Sequence, residues 1–176
     1  MTHRKIIPRL WLMTDERVGE ALWTALRRLP PGSGVVLRHH ATAPAQRRAL
    51  IKRVRRVAAA RRLVLLVAGG ASGVAGVHGA GHGTGHGLGL RSWSAHDRRQ
   101  AIAARRTGAD LVFVSPIFAT RSHPAAMGVG PGRGRRIGTA AGLPLIALGG
   151  MDRRRWLRIR HLGFHGWAAI DALTSR

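Results

Sequence analysis

The chain has 176 residues and no cysteine, which excludes disulfides, thiolate metal sites and a cysteine nucleophile. Its 45% apolar composition is globular, and the length suits one domain, residues 1–176, with a sizeable core. The net charge of +23 admits an anionic partner, but the basic residues are spread along the chain and Tyr is absent, which argues for solvated helix faces over a nucleic-acid surface.

The opening "MTHRKIIPRLWLMTDE" is basic, yet its apolar part is too short and too soon interrupted by acids for a signal peptide, and a cytoplasmic protein is expected. "PRLWLMT" (8–14) reads as a first strand. Val18, Leu22, Ala25 and Leu29 follow at helical spacing, with Arg27 and Arg28 in the last turn. "GVVLRH" (34–39) is the second strand, and Leu50, Val54 and Val57 mark a second helix. "RLVLLVA" (62–68) and "VAGVHG" (74–79) are separated only by "GGASG", so no helix is expected between them. The uncharged run from Leu63 to Leu90 is long enough to span a bilayer, but its ten glycines argue against a membrane helix.

The connection "AGHGTGHGLG" lacks apolar periodicity and reads as a flexible crossover. His78, His82 and His86 recur every four residues, but the interleaved glycines forbid a helix that would align them as metal ligands. "GLRSWSA" (89–95) is the fifth strand. "SAHDRRQAIAARRTGAD" is a helix with Ser94 or Asp97 as N-cap and Gly108 as stop. "ADLVFVS" (109–115) and "LPLIALG" (143–149) are strands six and seven, "MDRRRWLRIRHLG" a helix between Asp152 and Gly163, and "GFHGWAAI" (163–170) strand eight. Several strands are continuously apolar, as strands covered on both faces are. His39, His161 and His165 read as surface or packing residues, and the five tryptophans as core or helix–sheet packing.

Strands alternating with helices imply parallel pairing through right-handed crossovers, and eight of them suggest a (β/α)8 TIM-type barrel. It is a shortened one, with helices missing around strands three to five and after strand eight; an open parallel α/β sheet is the other architecture. In barrels of this kind, reactive residues lie at the carboxyl ends of strands. Here those ends carry Thr14, Asp15 and Glu16, then Arg38, His39 and His40, then His78, Ser94 and His96, Ser115, then Thr120, Arg121, Ser122 and His123, then Gly149 and Gly150, and finally Ile170 and Asp171. Hydroxyls, guanidinium and imidazole are anion donors, and a Gly-Gly pair lets a ligand approach the backbone, so the set favours a phosphate or pyrophosphate ligand.

With these residues in order, the sequence resembles the thiamine-phosphate synthase and TenI family of (β/α)8 barrels. The similarity is strongest in "SAH", "GADLVFVSPIFATRSHP", "GLPLIALGGM" and "GFHGWAAID", between Ser94 and Asp171. The resemblance implies synthesis of thiamine phosphate from hydroxymethylpyrimidine pyrophosphate and thiazole phosphate, with Mg²⁺ and release of pyrophosphate. It implies pyrophosphate binding by Arg38, with His40 and His123 where lysines normally stand, and Arg121 as a possible compensating charge. Ser94 and His96 fall on the "SxH" motif as the catalytic pair. Thr120 and Ser122 fall on the thiazole-phosphate loop, and Gly149, Gly150 and Ile170 on further phosphate-binding positions.

The departures bear on the metal. The family's Asn-Asp after strand three falls on Ala68-Gly69, and the Asp after strand four is missing from "HGAGHG". No acid lies between Glu20 and Asp97, so the expected protein ligands of Mg²⁺ are absent. Asp171 stands where a small neutral residue sits beside the thiazole phosphate. Three readings stay open: a synthase with an arginine-supported site, a TenI-like thiazole tautomerase using His96 as proton shuttle, and a non-catalytic phosphate-ligand-binding barrel. The expected partners are phosphorylated small molecules, with no membrane or nucleic acid; a homo-oligomer is compatible with the sequence.

Overall fold

A computed structural model describes residues 5–71, 73–79, 89–120 and 127–175. Eight parallel strands close into a barrel: β1 (Leu10–Thr14), β2 (Gly34–Leu37), β3 (Val64–Ala68), β4 (Gly76–His78), β5 (Leu90–Ala95), β6 (Leu111–Val114), β7 (Leu145–Ala147) and β8 (Gly166–Ala169). β8 pairs with β1, with Leu12 opposite Ala169, so the open-sheet alternative is excluded. The barrel is wrapped by α1 (Ala21–Arg28), α2 (Pro44–Ala60), α3 (Arg98–Arg106), α4 (Pro131–Thr139), α5 (Arg153–Ile159) and the one-turn α6 (Asp171–Thr174).

The continuous apolar runs are explained by two buried faces. Alternate residues Trp11, Met13, Val36, Leu66, Leu111, Phe113 and Ile146 fill the barrel interior. Their neighbours Leu12, Val35, Leu37, Leu65 and Val67 pack outward against α1 and α2, and Val112, Val114, Leu145 and Ala147 against the opposite flank. Trp11 meets Phe113 edge-to-face at 5.4 Å between ring centres, a geometry worth about 0.5–1.5 kcal/mol beyond burial. A side chain at Gly34 would overlap the Trp11 ring, so the glycine makes room for the largest residue of the interior.

Several expectations shift by a turn or a residue. In α2 the buried stripe is Ile51, Val54 and Ala58, rotated from Leu50, Val54 and Val57. Val18 lies in a 3-10 turn (Glu16–Val18) that precedes α1. Asp97, not Ser94, caps α3, its carboxylate accepting from the Gln100 N–H at 2.8 Å, and Asp152 caps α5 likewise. Ser94 is instead a residue of β5. A helix does follow strand eight, the four residues of α6, because the chain turns back directly after Ile170. α4, between strands six and seven, fits the (β/α)8 pattern but has no sequence assignment, since "PGRGRRIGT" carries few apolar residues.

No helix joins β3 to β4 among the described residues; His82 and His86 lie outside them. Among the described residues no helix is long and apolar enough to cross a membrane, and Leu63 to Leu90 supplies β3, β4 and the start of β5.

Candidate functional site

The carboxyl ends of the strands surround one cavity of about 490 Å³. Arg38, Ser94, His96, Thr120, Gly149, Gly150, Ile170 and Asp171 all contribute to its wall, from five different strand ends. Its apolar share includes Met13, Leu148 and Met151. The candidates drawn from distant parts of the sequence therefore converge. His40 does not join them, being exposed and off the cavity wall; Arg121, Ser122 and His123 lie outside the described residues.

Arg38 is held from behind. Its Nε donates to the Thr14 carbonyl at 3.0 Å and its Nη2 to Asp15 Oδ2 at 3.1 Å. Burial pulls the guanidinium below its ordinary pKa, the Asp15 charge opposes that pull, and the group stays cationic at neutral pH. Burial of Asp15 works to raise its own pKa, but the hydrogen bond and charge of Arg17, with the charge of Arg38, outweigh it and hold the carboxyl low. The loop after β2 is pinned as well. Arg47 reaches the carbonyls of Arg38, His39 and Ala68, and Glu16 Oε1 accepts from the N–H groups of Ala41 and Thr42.

His39 takes a left-handed backbone (φ 38°), and its Nδ1 lies 3.2 Å from Thr14 Oγ1 in a buried contact. With His39 folded inward, His40 emerges on the exposed side of the loop, so the lysine-like role expected for His40 is not met by its position.

His96 Nδ1 lies 2.8 Å from the Ser115 carbonyl oxygen. A carbonyl only accepts, so Nδ1 carries the hydrogen, and when the ring holds a single hydrogen Nε2 is left as the proton acceptor. Gly149 and Gly150 both have positive φ, 90° and 60°. A Cβ on Gly149 would come within 2.7 Å of Pro116 Cα, and one on Gly150 would run into the Ala119 carbonyl. Only glycine lets this turn lie against the β6 loop while its backbone faces the cavity.

His78 ends β4, as the bounds of the fourth strand imply; its burial and its partners are what the sequence reading missed. Its Nδ1 is 2.9 Å from Ser92 Oγ, its Nε2 is 3.3 Å from Ser94 Oγ, and its ring meets Phe113 edge-on. Burial drives its pKa down to about 4, with the charges of Arg38 and His40 acting in the same direction, so it is neutral at pH 7. The signal was present in the alternation Leu90-Ser92-Ser94, which turns both hydroxyls inward, and in the register that sets His78 opposite Ser92.

A divalent cation such as Mg²⁺ needs hard oxygen donors around the cavity. Ala68 and Gly69, which stand at the end of β3, offer no side-chain oxygen, and Asp15 is engaged by two guanidinium groups. Among the described residues no three His, Asp or Glu side chains come together as a metal site. These residues do not fit a protein-held Mg²⁺.

Residues 89–173 match the family model described as thiamine monophosphate synthase (TMP-TENI). Over 83 residues the chain is 35% identical to the thiamine-phosphate synthase of Chloroflexus aurantiacus, covering 47% of this chain and 38% of that protein. Over 82 residues it is 35% identical to the thiamine-phosphate synthase of Methanosarcina barkeri, covering 46% and 37%. The matched segment thus spans well under half the length of these relatives. In three dimensions the chain is similar to thiamine phosphate pyrophosphorylase from Pyrococcus furiosus, with a TM-score of 0.75 at 20% identity over 96% of this chain and 88% of that one. The corresponding protein of Bacteroides thetaiotaomicron gives 0.61, also at 20% identity, over 94% and 84%. At such identity the likeness establishes the barrel fold.

Proposed function

We propose that this chain, which belongs to the thiamine monophosphate synthase (TMP-TENI) family over residues 89–173, makes thiamine phosphate from hydroxymethylpyrimidine pyrophosphate and thiazole phosphate. The observation that carries the reading is the convergence of Arg38, Thr120, Gly149 and Gly150 on one cavity. In this reaction the carbon–oxygen bond to pyrophosphate breaks, its electron pair leaves with the pyrophosphate, and the thiazole nitrogen lone pair forms the new carbon–nitrogen bond. The site's main task is to stabilise charge on the departing pyrophosphate.

Arg38 is the cation for that task, held in place by Thr14 and Asp15, with the Gly149-Gly150 backbone and Thr120 receiving the second phosphate. His96 Nε2 is the available base. No step is assigned to a metal held by the protein. A cytoplasmic setting goes with phosphorylated substrates and a chain without cysteine.

A TenI-like isomerisation of a thiazole carboxylate phosphate is the second reading. It is favoured by His96, whose tautomer suits a proton shuttle, and by the poverty of metal-binding carboxylates. Complementation of a strain lacking thiamine-phosphate synthase tests the first reading: growth without thiamine is expected from the wild-type chain and not from Arg38→Ala. Growth by neither, with the protein expressed and folded, would leave the synthase reading without support.

A further inference from the structure

Beneath the cavity wall, three polar side chains form a buried chain between β4 and β5. Ser92 Oγ lies 3.4 Å from the Val77 carbonyl, His78 Nδ1 2.9 Å from Ser92 Oγ, and Ser94 Oγ 3.3 Å from His78 Nε2. His78 and Ser92 are 7% and 1% exposed, and Ser94 reaches the cavity. Counting hydrogens decides the direction of the chain. A neutral imidazole supplies one N–H and the two serines one O–H each, three hydrogens for three contacts.

All three contacts are served only in one arrangement. Ser92 donates to the Val77 carbonyl, which cannot donate back; His78 Nδ1–H donates to Ser92; and Ser94 O–H donates to His78 Nε2. Run the other way, Ser92 spends its hydrogen on Nδ1, and the Val77 contact has none. Burial favours the filled arrangement because an unserved polar contact there is not replaced by water. Burial also keeps the imidazole neutral at pH 7, so no fourth hydrogen upsets the count.

We propose that His78 is a positioning residue that turns the Ser94 hydroxyl hydrogen away from the cavity, so that Ser94 meets its ligand as an acceptor and seats an N–H or O–H donor, not a phosphoryl oxygen. The ligand part rests on the reading of this cavity as the substrate site; the tautomer of His78 does not. Within the cavity, anion binding then falls to Arg38 and the Gly149-Gly150 side, and Ser94 marks the uncharged end of the ligand.

Two measurements test this. Long-range ¹H–¹⁵N correlation on the labelled, full-length protein, with His78 assigned through its backbone, reads which ring nitrogen carries hydrogen. Protonated Nδ1 and bare Nε2 are expected at pH 7, retained in Ser94→Ala and shifted toward Nε2–H in Ser92→Ala. A wild-type ring protonated at Nε2 overturns the proposal, and no His78 variant has to fold for that result. Calorimetric titration with inorganic pyrophosphate is the second measurement. Ser94→Ala should bind it within twofold of wild type, and a tenfold loss overturns the assignment of Ser94 as an acceptor. A wild-type protein that ignores pyrophosphate sinks the cavity reading instead, and the tautomer is still judged from its own spectrum.

Discussion

Burial of His78 should make the protein measurably weaker in mild acid, and a single substitution should remove the effect. The imidazole ordinarily titrates near 6.5 but in the folded chain only at about 4. Between those values the unfolded chain binds one proton more than the folded chain. The contribution is therefore complete above pH 6.5, drains as pH falls, and is gone by about pH 4. At about 1.4 kcal/mol per unit, the loss between pH 7 and pH 4.5 is roughly 2–3 kcal/mol. His78→Gln removes the titrating group while its amide still reaches toward both serines. Urea unfolding followed by tryptophan fluorescence at the two pH values gives the comparison. The wild type should lose roughly 2–3 kcal/mol more than the variant, even though the variant starts less stable. His39, also pushed low by burial, titrates in both proteins and cancels in the difference. Below about pH 4 the loss passes to Asp15, whose carboxyl is held low and whose stabilisation is present above the ordinary carboxylate range. Parallel losses in wild type and variant would refute the burial and neutrality assigned to His78.

Arg38→Ala should weaken pyrophosphate binding about tenfold to a hundredfold, the range for losing a charge-assisted hydrogen bond, with little change in thermal stability; unchanged affinity by calorimetry would remove Arg38 from the site. Gly149→Ala should destabilise the protein by about 1–3 kcal/mol in thermal unfolding, because the residue has φ 90° and Pro116 stands where the methyl must go; a neutral result would show that the turn relaxes freely. Pyrophosphate affinity should change less than about twofold between excess EDTA and millimolar Mg²⁺, since among the described residues no carboxylate cluster suits the cation; a tenfold dependence would reveal that the protein does hold it.

Much of this architecture can be read in the residues, and the misses have physical causes. The strand runs are legible because two buried faces demand unbroken apolar sequence, and the strand ends because polarity begins abruptly at Arg38, Ser115 and Asp171. α4 is illegible because "PGRGRRIGT" combines three glycines with a single large apolar residue. In the fold, Gly134 lies where a Cβ would press on Ile117 and Gly138 where one would press on Leu145, so the glycines bring the helix close to the barrel. Close approach overrides propensity there. His78 is legible as the end of the fourth strand, but its pairing is not, since only the β4–β5 register reveals that it faces Ser92. His40 was misplaced because spacing along a sequence does not report that His39 adopts a left-handed backbone and turns its neighbour outward.

The most direct measurement is of what the purified protein makes. Incubated with hydroxymethylpyrimidine pyrophosphate and thiazole phosphate, it should release thiamine phosphate and pyrophosphate in equal amounts, at a rate cut at least tenfold in Arg38→Ala. Release of neither product by a folded protein, or equal rates from the two chains, would contradict the synthase reading.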